Sequence, residues 1–288
     1  MPEELPESEQ GKRGELTSDR FVAGKDLTTW RSAAGRWLAS LAQRIAQWIG
    51  PHVALVLALG IGAGFAALTT WLASEVYEAV VDANGVALWD EPLLQASVAL
   101  RTPIAEQLVT SYTDIGGVVG MPVIAVTTML VLAVRRKSWT PVILMLAAGG
   151  GSLLMTVAGK QLFGRARPEL VFAVPPFEHS PSFPSGHTLN AVVVAGIVAY
   201  LLMLRQDSKR MQALTAGLAA VFAITMGMSR VYLGHHWFTD VLVAWVLGLA
   251  WLAVVITAHR LYLTTRKRLE GSEGDEPRAL GPGSTHQA

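Results

Sequence analysis

Residues 138–159 read SWTPVILMLAAGGGSLLMTVAG, an apolar run of 22 residues without a single charged side chain. About 20 mostly apolar residues are needed to cross the hydrocarbon core of a bilayer. Because lipid offers no hydrogen-bond partners, such a segment must satisfy its own backbone amides and carbonyls, and it is therefore helical. This stretch predicts a membrane-spanning helix and so decides the class of fold.

Five further apolar runs accompany it, at residues 53–73, 115–134, 188–204, 211–229 and 241–258. Two of them, 188–204 and 241–258, are short, so we expect those helices to extend into the flanking residues. The chain is 51% hydrophobic and 16% charged, whereas an ordinary soluble domain carries about 25% charged residues. We therefore predict an all-α protein, a six-span transmembrane helical bundle over residues 50–260, rather than a large soluble protein or a disordered chain. Cysteine is absent, which excludes disulfides and a thiol nucleophile.

The distribution of basic residues predicts the orientation of this bundle. Of the 23 lysines and arginines, 18 fall in residues 1–50, 135–137, 205–210 and beyond 258, all on one side of the predicted spans. By the positive-inside rule, both termini are then cytoplasmic. Five cations remain on the extracytoplasmic side. Four of them cluster at span ends, namely Lys160, Arg165, Arg167 and Arg230, and the fifth is Arg101. Cations on the side that the positive-inside rule disfavours need a functional explanation.

The flanking segments differ from the bundle in composition. Residues 1–26 are polar and acidic, and we expect a disordered cytoplasmic tail rather than a secretory signal. Residues 27–49 carry apolar side chains at helical spacing with arginines between them, which predicts an amphipathic interfacial helix; a cytoplasmic helix packed on the bundle is the alternative. Residues 261–288 form a second, largely disordered tail. In the long outer loop, residues 91–107 are expected to form a helix at the outer interface.

Three polar segments stand out at the predicted outer ends of the spans. They read KQLFGRARP at residues 160–168, PSGH at residues 184–187 and SRVYLGHHWFTD at residues 229–240. The predicted topology brings all three to the same side of the membrane at similar depth. The polar side chains of the three segments are therefore expected to lie close together in space.

The cations of these segments are suited to binding a phosphate group. Lys160, Arg167 and Arg230 have no acidic cluster nearby in the sequence, and arginine offers paired donors to phosphate oxygens. Ser185 and Gly186 precede the start of a helix, where a hydroxyl and free backbone amides can point at an anion. A single interfacial cation is usually a membrane anchor, but the combination predicts an anion-binding site.

The histidines add a nucleophile. Asp240 follows His236 by one helical turn, so its carboxylate can accept a hydrogen bond from one imidazole nitrogen and leave the other free to attack. Such a pair is often only a helix salt bridge, yet His187 is a second histidine beside the same cations. This set predicts phosphoryl transfer. His235 and His179 are expected to be ordinary loop residues, and Arg165 either pairs with a carboxylate or shields the site.

The three segments resemble the signature motifs of the type-2 phosphatidic acid phosphatase superfamily, which includes vanadium haloperoxidases. The family patterns are Lys-x6-Arg-Pro, Pro-Ser-Gly-His and Ser-Arg-x5-His-x3-Asp, and the resemblance covers about residues 50–260. It implies that His236 forms a phosphohistidine, that Asp240 orients it and that His187 protonates the leaving oxygen. It also implies that the phosphate is held by Lys160, Arg167, Ser185, Gly186 and Arg230.

The expected activity is therefore that of an integral membrane lipid phosphatase with an extracytoplasmic site. We expect neither a metal nor another cofactor, because the site lacks the carboxylate cluster that magnesium prefers. The candidate substrates are undecaprenyl pyrophosphate, phosphatidylglycerol phosphate and phosphatidate. The expected partners are this lipid phosphate and the membrane lipids, not nucleic acid, and the oligomeric state is left open. The alternatives are a transporter or channel with an outer phosphate site, a vanadate-dependent oxidase and a lipid-binding protein without turnover.

Overall fold

The computed structural model describes residues 19–22, 24–49, 60, 62, 64 and 86–274. Within them lie a two-stranded antiparallel hairpin, two short 3-10 turns at Val86–Trp89 and Leu170–Phe172, and eight α-helices. The strands are β1 (Phe21–Val22) and β2 (Lys25–Asp26). The helices are α1 (Ala33–Ile49), α2 (Asp90–Ala99), α3 (Pro103–Asp114), α4 (Gly120–Arg136), α5 (Thr140–Phe163), α6 (Gly186–Met203), α7 (Lys209–Tyr232) and α8 (Phe238–Gly274).

Four of these helices are long and apolar enough to cross a membrane. They are α5, α6, α7 and the Phe238–Lys267 part of α8, and they confirm the predicted spans three to six. As expected, α6 and α8 begin before the short apolar runs that predicted them. The second predicted span is represented by α4, which has 17 residues, at the lower limit for crossing. The first, residues 53–73, falls almost entirely outside the described residues, so the count of six spans stays a prediction.

Helix α6 lies at the centre of the bundle and packs against α5, α7 and α8. Its core-facing residues repeat every four positions, which keeps them on one side of the helix; they are Leu189, Val193, Ile197 and Leu201, all fully buried. In contrast, Leu146 and Leu153 of α5 and Leu218 of α7 are mostly exposed. An apolar exterior of this kind fits a bundle surrounded by lipid.

Two connections, residues 164–185 and 233–237, bring the ends of four helices together. Helix α5 ends at Gly164, whose φ of +55° sends the chain back across the bundle, a left-handed conformation that glycine adopts most readily. The following loop returns to the start of α6, and the Ser182 amide donates to the Arg165 carbonyl at 2.8 Å. The Ser185 amide in turn donates to the Asp240 carbonyl in α8. We call this end of the bundle the site end.

The N-terminal segment differs from its expected disorder over residues 19–26. Asp19 is buried at the opposite end of the bundle, where Arg205 donates to its carboxylate and Arg136 lies 3.5 Å away. Arg260 of α8 donates to the Leu27 carbonyl at 3.0 Å and lies over the Trp30 ring. These contacts anchor the segment to the bundle. The composition of the segment did not indicate this anchoring. The expected tails at 1–18 and 275–288 lie outside the described residues.

Two helix boundaries also differ from expectation. Helix α1 begins at Ala33 rather than at residue 27, because residues 27–30 contact α8. Helix α8 continues to Gly274, past the expected boundary at residue 260, since Tyr262 and Leu263 are still buried. Helix α1 packs against α8 and leaves Trp48 88% exposed. Helix α1 is thus packed on the bundle, while the amphipathic interfacial helix stays a prediction.

The long outer loop forms two helices instead of one. Helix α2 ends before Leu100, and Pro103 begins α3 with the Thr102 hydroxyl accepting from the Ala105 amide at 3.2 Å, as is typical of a helix start. Both helices pack against α7, and α2 also contacts α8. The outer loop is therefore part of the site end of the bundle.

Candidate active site

A cavity of about 590 Å³ opens at the site end, and five of the predicted site residues line it. They are Lys160, Gly186, His187, Arg230 and His236. The other three predicted residues adjoin this lining: Arg167 and Asp240 contact His236, and Ser185 precedes Gly186. The structure thus brings together all eight residues, which come from the helices α5 to α8 and the two connections between them.

The imidazole of His236 is presented by the turn between α7 and α8. His236 is 1% exposed, and its Nδ1 lies 3.4 Å from Asp240 Oδ2. The Trp237 amide donates to the same Oδ2 at 3.1 Å, so Asp240 also caps the start of α8. The opposite nitrogen, Nε2, faces Arg167 Nη1 at 3.2 Å. With Nδ1 donating to Asp240, the Nε2 lone pair points toward the cations.

The protonation state of His236 suits a nucleophile. Burial, together with the positive charges of Arg167 and Arg230, holds the pKa of His236 well below its ordinary value. Its imidazole is therefore neutral near pH 7, which leaves a lone pair available for attack. The neighbouring His235 instead hydrogen bonds through Nε2 to the Val174 carbonyl at 2.7 Å, and burial lowers its pKa to about 4. This contact gives His235 a role in holding the loop.

Arg167 and Arg230 both bind one carboxylate, that of Glu178. Arg167 Nη2 lies 2.7 Å from Glu178 Oε2, and Arg230 Nη2 pairs with Oε1. Burial opposes ionisation of Glu178, but the guanidiniums of Arg230 and Arg167 outweigh it and lower its pKa to about 2. Arginine forks recognise carboxylates and phosphates with the same paired geometry. The Glu178 carboxylate therefore occupies donors of the kind that also bind phosphate.

Arg230 also has unused donor capacity. Its side chain is 1% exposed; Nη1 donates to Thr113 Oγ1 at 3.3 Å, while Nε is buried and has no partner among the described residues. A buried charge with an unsatisfied donor is costly unless an anion compensates it. This orphaned donor at the cavity wall is consistent with an anion-binding site.

The remaining wall of the cavity comes from α5 and the start of α6. Lys160 Nζ donates to Ser180 Oγ at 2.8 Å, which holds the ammonium at the end of α5. Ser185 is fully buried at the N-cap of α6, where the first amides of the helix lack helical partners. His187 follows within the first turn, and a Cβ on Gly117 would lie 3.5 Å from its Nε2. Gly117 therefore lies next to the His187 imidazole.

Four residues that the sequence analysis missed contribute to this arrangement. Ser182 is fully buried and donates to Asp240 Oδ2, and its Oγ lies 3.3 Å from His236 Nδ1. Asp90 binds Arg165, Glu178 binds the two arginines, and Thr113 accepts from Arg230. Arg165, left ambiguous by the sequence, pairs with carboxylates. The sequence offers one signal for Glu178, which is that few acidic residues lie between the motifs and could pair with their cations.

A helical membrane bundle that ends in a buried His–Asp pair facing three cations defines a membrane phosphatase. The chain belongs to the PAP2 superfamily, whose family model matches residues 138–262.

Two relatives from Bacillus subtilis support this assignment. Phosphatidylglycerophosphatase B of strain 168 is 35% identical over 178 residues, which are 60% of this chain and 85% of the relative. The crystal structure of a transmembrane PAP2-type phosphatidylglycerolphosphate phosphatase aligns with a TM-score of 0.59 and 28% identity, over 75% of this chain and 100% of that one. The expected family and the expected class, an integral membrane lipid phosphatase, are thereby confirmed.

Proposed function

We propose that this protein hydrolyses a lipid phosphomonoester of the phosphatidylglycerol phosphate type through a phosphohistidine at His236. The observation that carries the proposal is the position of His236: Asp240 lies at its Nδ1, and its Nε2 faces Arg167. The carboxylate of Glu178, bound between Arg167 and Arg230, supports this proposal because carboxylates and phosphates accept the same paired donors from arginine.

The reaction consists of two displacements at phosphorus. His236 Nε2 attacks, the bond between phosphorus and the lipid oxygen breaks, and His187 donates its proton to that oxygen. A water molecule then gives a proton to His187 and attacks phosphorus, the N–P bond breaks, and inorganic phosphate leaves. Lys160, Arg167 and Arg230, with the amides at the start of α6, stabilise the charge on the equatorial oxygens. No step requires a metal ion.

The number of cations favours a monoester over a diphosphate. No lysine or arginine occurs between residues 51 and 100, and Arg101 donates to the carbonyls of Tyr232 and Phe172. Arg165 lies between Asp90 and Asp240. Lys160, Arg167 and Arg230 therefore remain for the transferred phosphate, and no outer cation is left for a second one. The candidate substrate undecaprenyl pyrophosphate is accordingly disfavoured.

The cavity lining favours a leaving group that carries hydroxyls. The lining includes Thr110, Thr113, Asp114 and Asn190, side chains that hydrogen bond to hydroxyl groups but do not attract a second anion. The names of the two Bacillus relatives refer to phosphatidylglycerol phosphate, which has a hydroxyl-bearing headgroup. We extend this substrate class to the present chain.

The orientation in the membrane is part of the proposal. Arg136, Arg205 and Arg260 lie at the end of the bundle opposite the site, and the 18 basic residues counted above belong to that side. The positive-inside rule then makes the site extracytoplasmic and both termini cytoplasmic.

The test is an assay of purified full-length protein in detergent with EDTA present. Phosphate release is compared for phosphatidylglycerol phosphate, phosphatidate and undecaprenyl pyrophosphate, and acid-labile phosphate on the protein is trapped with labelled substrate. We expect the monoesters to be preferred and the label to be lost in His236→Ala but retained in His179→Ala, a matched change at an exposed histidine. A preference for the diphosphate, or a label that survives His236→Ala, would contradict the proposal.

A further inference from the structure

Arg165 is shared by two buried carboxylates. Its Nη1 donates to Asp240 Oδ1, and its Nη2 lies 2.9 Å from Asp90 Oδ2. Asp240 is completely buried, and Asp90 is 5% exposed. The motif residue Asp240 thus connects through one guanidinium to an acid that precedes it by 150 positions.

Asp90 is held by the start of α8 as well. The Thr239 amide donates to Asp90 Oδ1 at 2.8 Å, and the Thr239 hydroxyl donates to Oδ2 at 2.7 Å. Arg165 Nη1 also donates to the Thr239 hydroxyl at 2.8 Å. Asp90, the first residue of α2, therefore fixes the outer loop, the guanidinium and the first turn of α8 in one network.

The charges of this network explain why a second acid is needed. Asp240 and Arg165 alone form a neutral pair. A guanidinium that pairs only with Asp240 makes this carboxylate a weaker hydrogen-bond acceptor for His236. Asp90 adds a second negative charge on the far side of Arg165. The three groups then sum to one negative charge, which is available to the imidazole when it becomes positive during attack.

We propose that Asp90 is a positioning residue for the reaction at His236 and acts on the imidazole through Arg165 and Asp240. This inference rests on the proposed function, because the reaction is the one assigned to His236 above. It makes the outer loop a component of the active site, since the loop supplies a charge that the three motifs lack. An acid that only tethered the loop would affect folding but would not act through Asp240.

Asp90→Asn separates these roles, because it removes one charge at nearly constant volume. We expect kcat to fall roughly tenfold, the lower end for loss of a supporting contact around an active group, with KM changed less than twofold. Glu91→Gln is the matched control, since Glu91 is the next residue of α2 and is exposed. It removes the same charge from the surface, and kcat should stay within about twofold.

The deciding experiment repeats Asp90→Asn in an Asp240→Asn background. If Asp90 acts through Asp240, the second substitution has no further effect on kcat; independent tenfold losses that multiply would overturn the inference. Thr239→Val serves as a second variant where Asp90→Asn folds poorly, because it removes only the hydroxyl that Asp90 and Arg165 share. Its smaller loss of kcat must also vanish in the Asp240→Asn background.

A vanadate-binding measurement makes the outcome independent of the lipid substrate. Vanadate takes the five-coordinate geometry of the transition state, and calorimetry gives its Kd for the same set of variants. Asp90→Asn should weaken binding about tenfold in the wild-type background and not at all with Asp240→Asn. If the wild type hydrolyses no lipid phosphate, the proposed function is wrong. The vanadate affinities of the same variants still test whether Asp90 acts through Asp240. A wild type that binds no vanadate would overturn both.

Discussion

At the scale of single residues, the His236–Asp240 pair gives the sharpest expectation. His236→Ala should abolish turnover because no other described imidazole lies beside both Asp240 and Arg167. Asp240→Asn should lower kcat by a factor of about 100 to 10,000, the usual cost of losing a catalytic acid or base or its orientation. Both are measured by phosphate release at saturating substrate. Wild-type activity in His236→Ala would mean that the nucleophile is a different residue.

Glu178 gives a second expectation at this scale. Under the proposed function its carboxylate competes with phosphate for Arg167 and Arg230, so Glu178→Gln should bind vanadate about fivefold more tightly, the upper range for a partly exposed ion pair. Glu169→Gln, at an exposed acid of the same loop, is the control. Weaker vanadate binding by Glu178→Gln would show that the carboxylate supports the arginines instead of competing with phosphate.

The pH dependence of that competition follows from the same contact. The pKa of Glu178 is lowered to about 2, so its carboxylate remains ionised at pH 5 and above. The ratio of vanadate affinities between Glu178→Gln and the wild type should therefore be the same at pH 5 and pH 8. The stabilisation from this ion pair is present above the unfolded-state pKa and is lost as the pH falls toward 2. A ratio that collapses at pH 5 would contradict this assignment.

At the scale of elements, the turn between α7 and α8 depends on Gly234. Its φ is +70°, and a Cβ there would lie 2.2 Å from the Phe172 carbonyl oxygen. Gly234→Ala should therefore displace the turn that carries His236, with a loss of roughly 1–3 kcal/mol in unfolding free energy and most of the activity. Gly217→Ala in α7 is the control, since nothing lies within 4 Å of its Cβ and alanine favours the helix. Equal thermal stability of the two variants would contradict the expectation.

The elements show what sequence patterns can and cannot predict. Helices α5 to α8 were predictable because an apolar run long enough to span lipid has one structural solution. The residues that meet at the cavity were predictable because span ends on one side converge. Asp90, Ser182 and Glu178 were not, since each owes its position to a loop with no periodic pattern. Asp19 was missed for the same reason: its acidic, polar surroundings favoured disorder, while its partners Arg136 and Arg205 lie over 100 positions away.

At the scale of the whole molecule, the proposed orientation makes the site extracytoplasmic. Reporter fusions after Lys137 and after Asp207 should read cytoplasmic, and fusions near Asp90 and Glu178 should read outside, because 18 of 23 basic residues lie on one side and resist translocation. The activity of intact cells or sealed vesicles toward a phosphate ester that cannot cross the membrane is an independent measure of the side on which the site lies. An outside location for Lys137 would reverse the orientation.

The docked N-terminal segment has a consequence for how the chain is made. Trp30 Nε1 donates to Thr264 Oγ1 at 3.1 Å, so a segment near the start of the chain contacts a helix synthesised 234 positions later. At about 5–20 residues per second, the ribosome needs roughly 10 to 50 s to reach Thr264 after Trp30. Throughout that interval Trp30 lacks its α8 contacts, and residues 27–30 can dock only when this part of α8 has emerged. Docking of residues 27–30 is therefore a late event in biogenesis and marks a bundle in which α8 is in place.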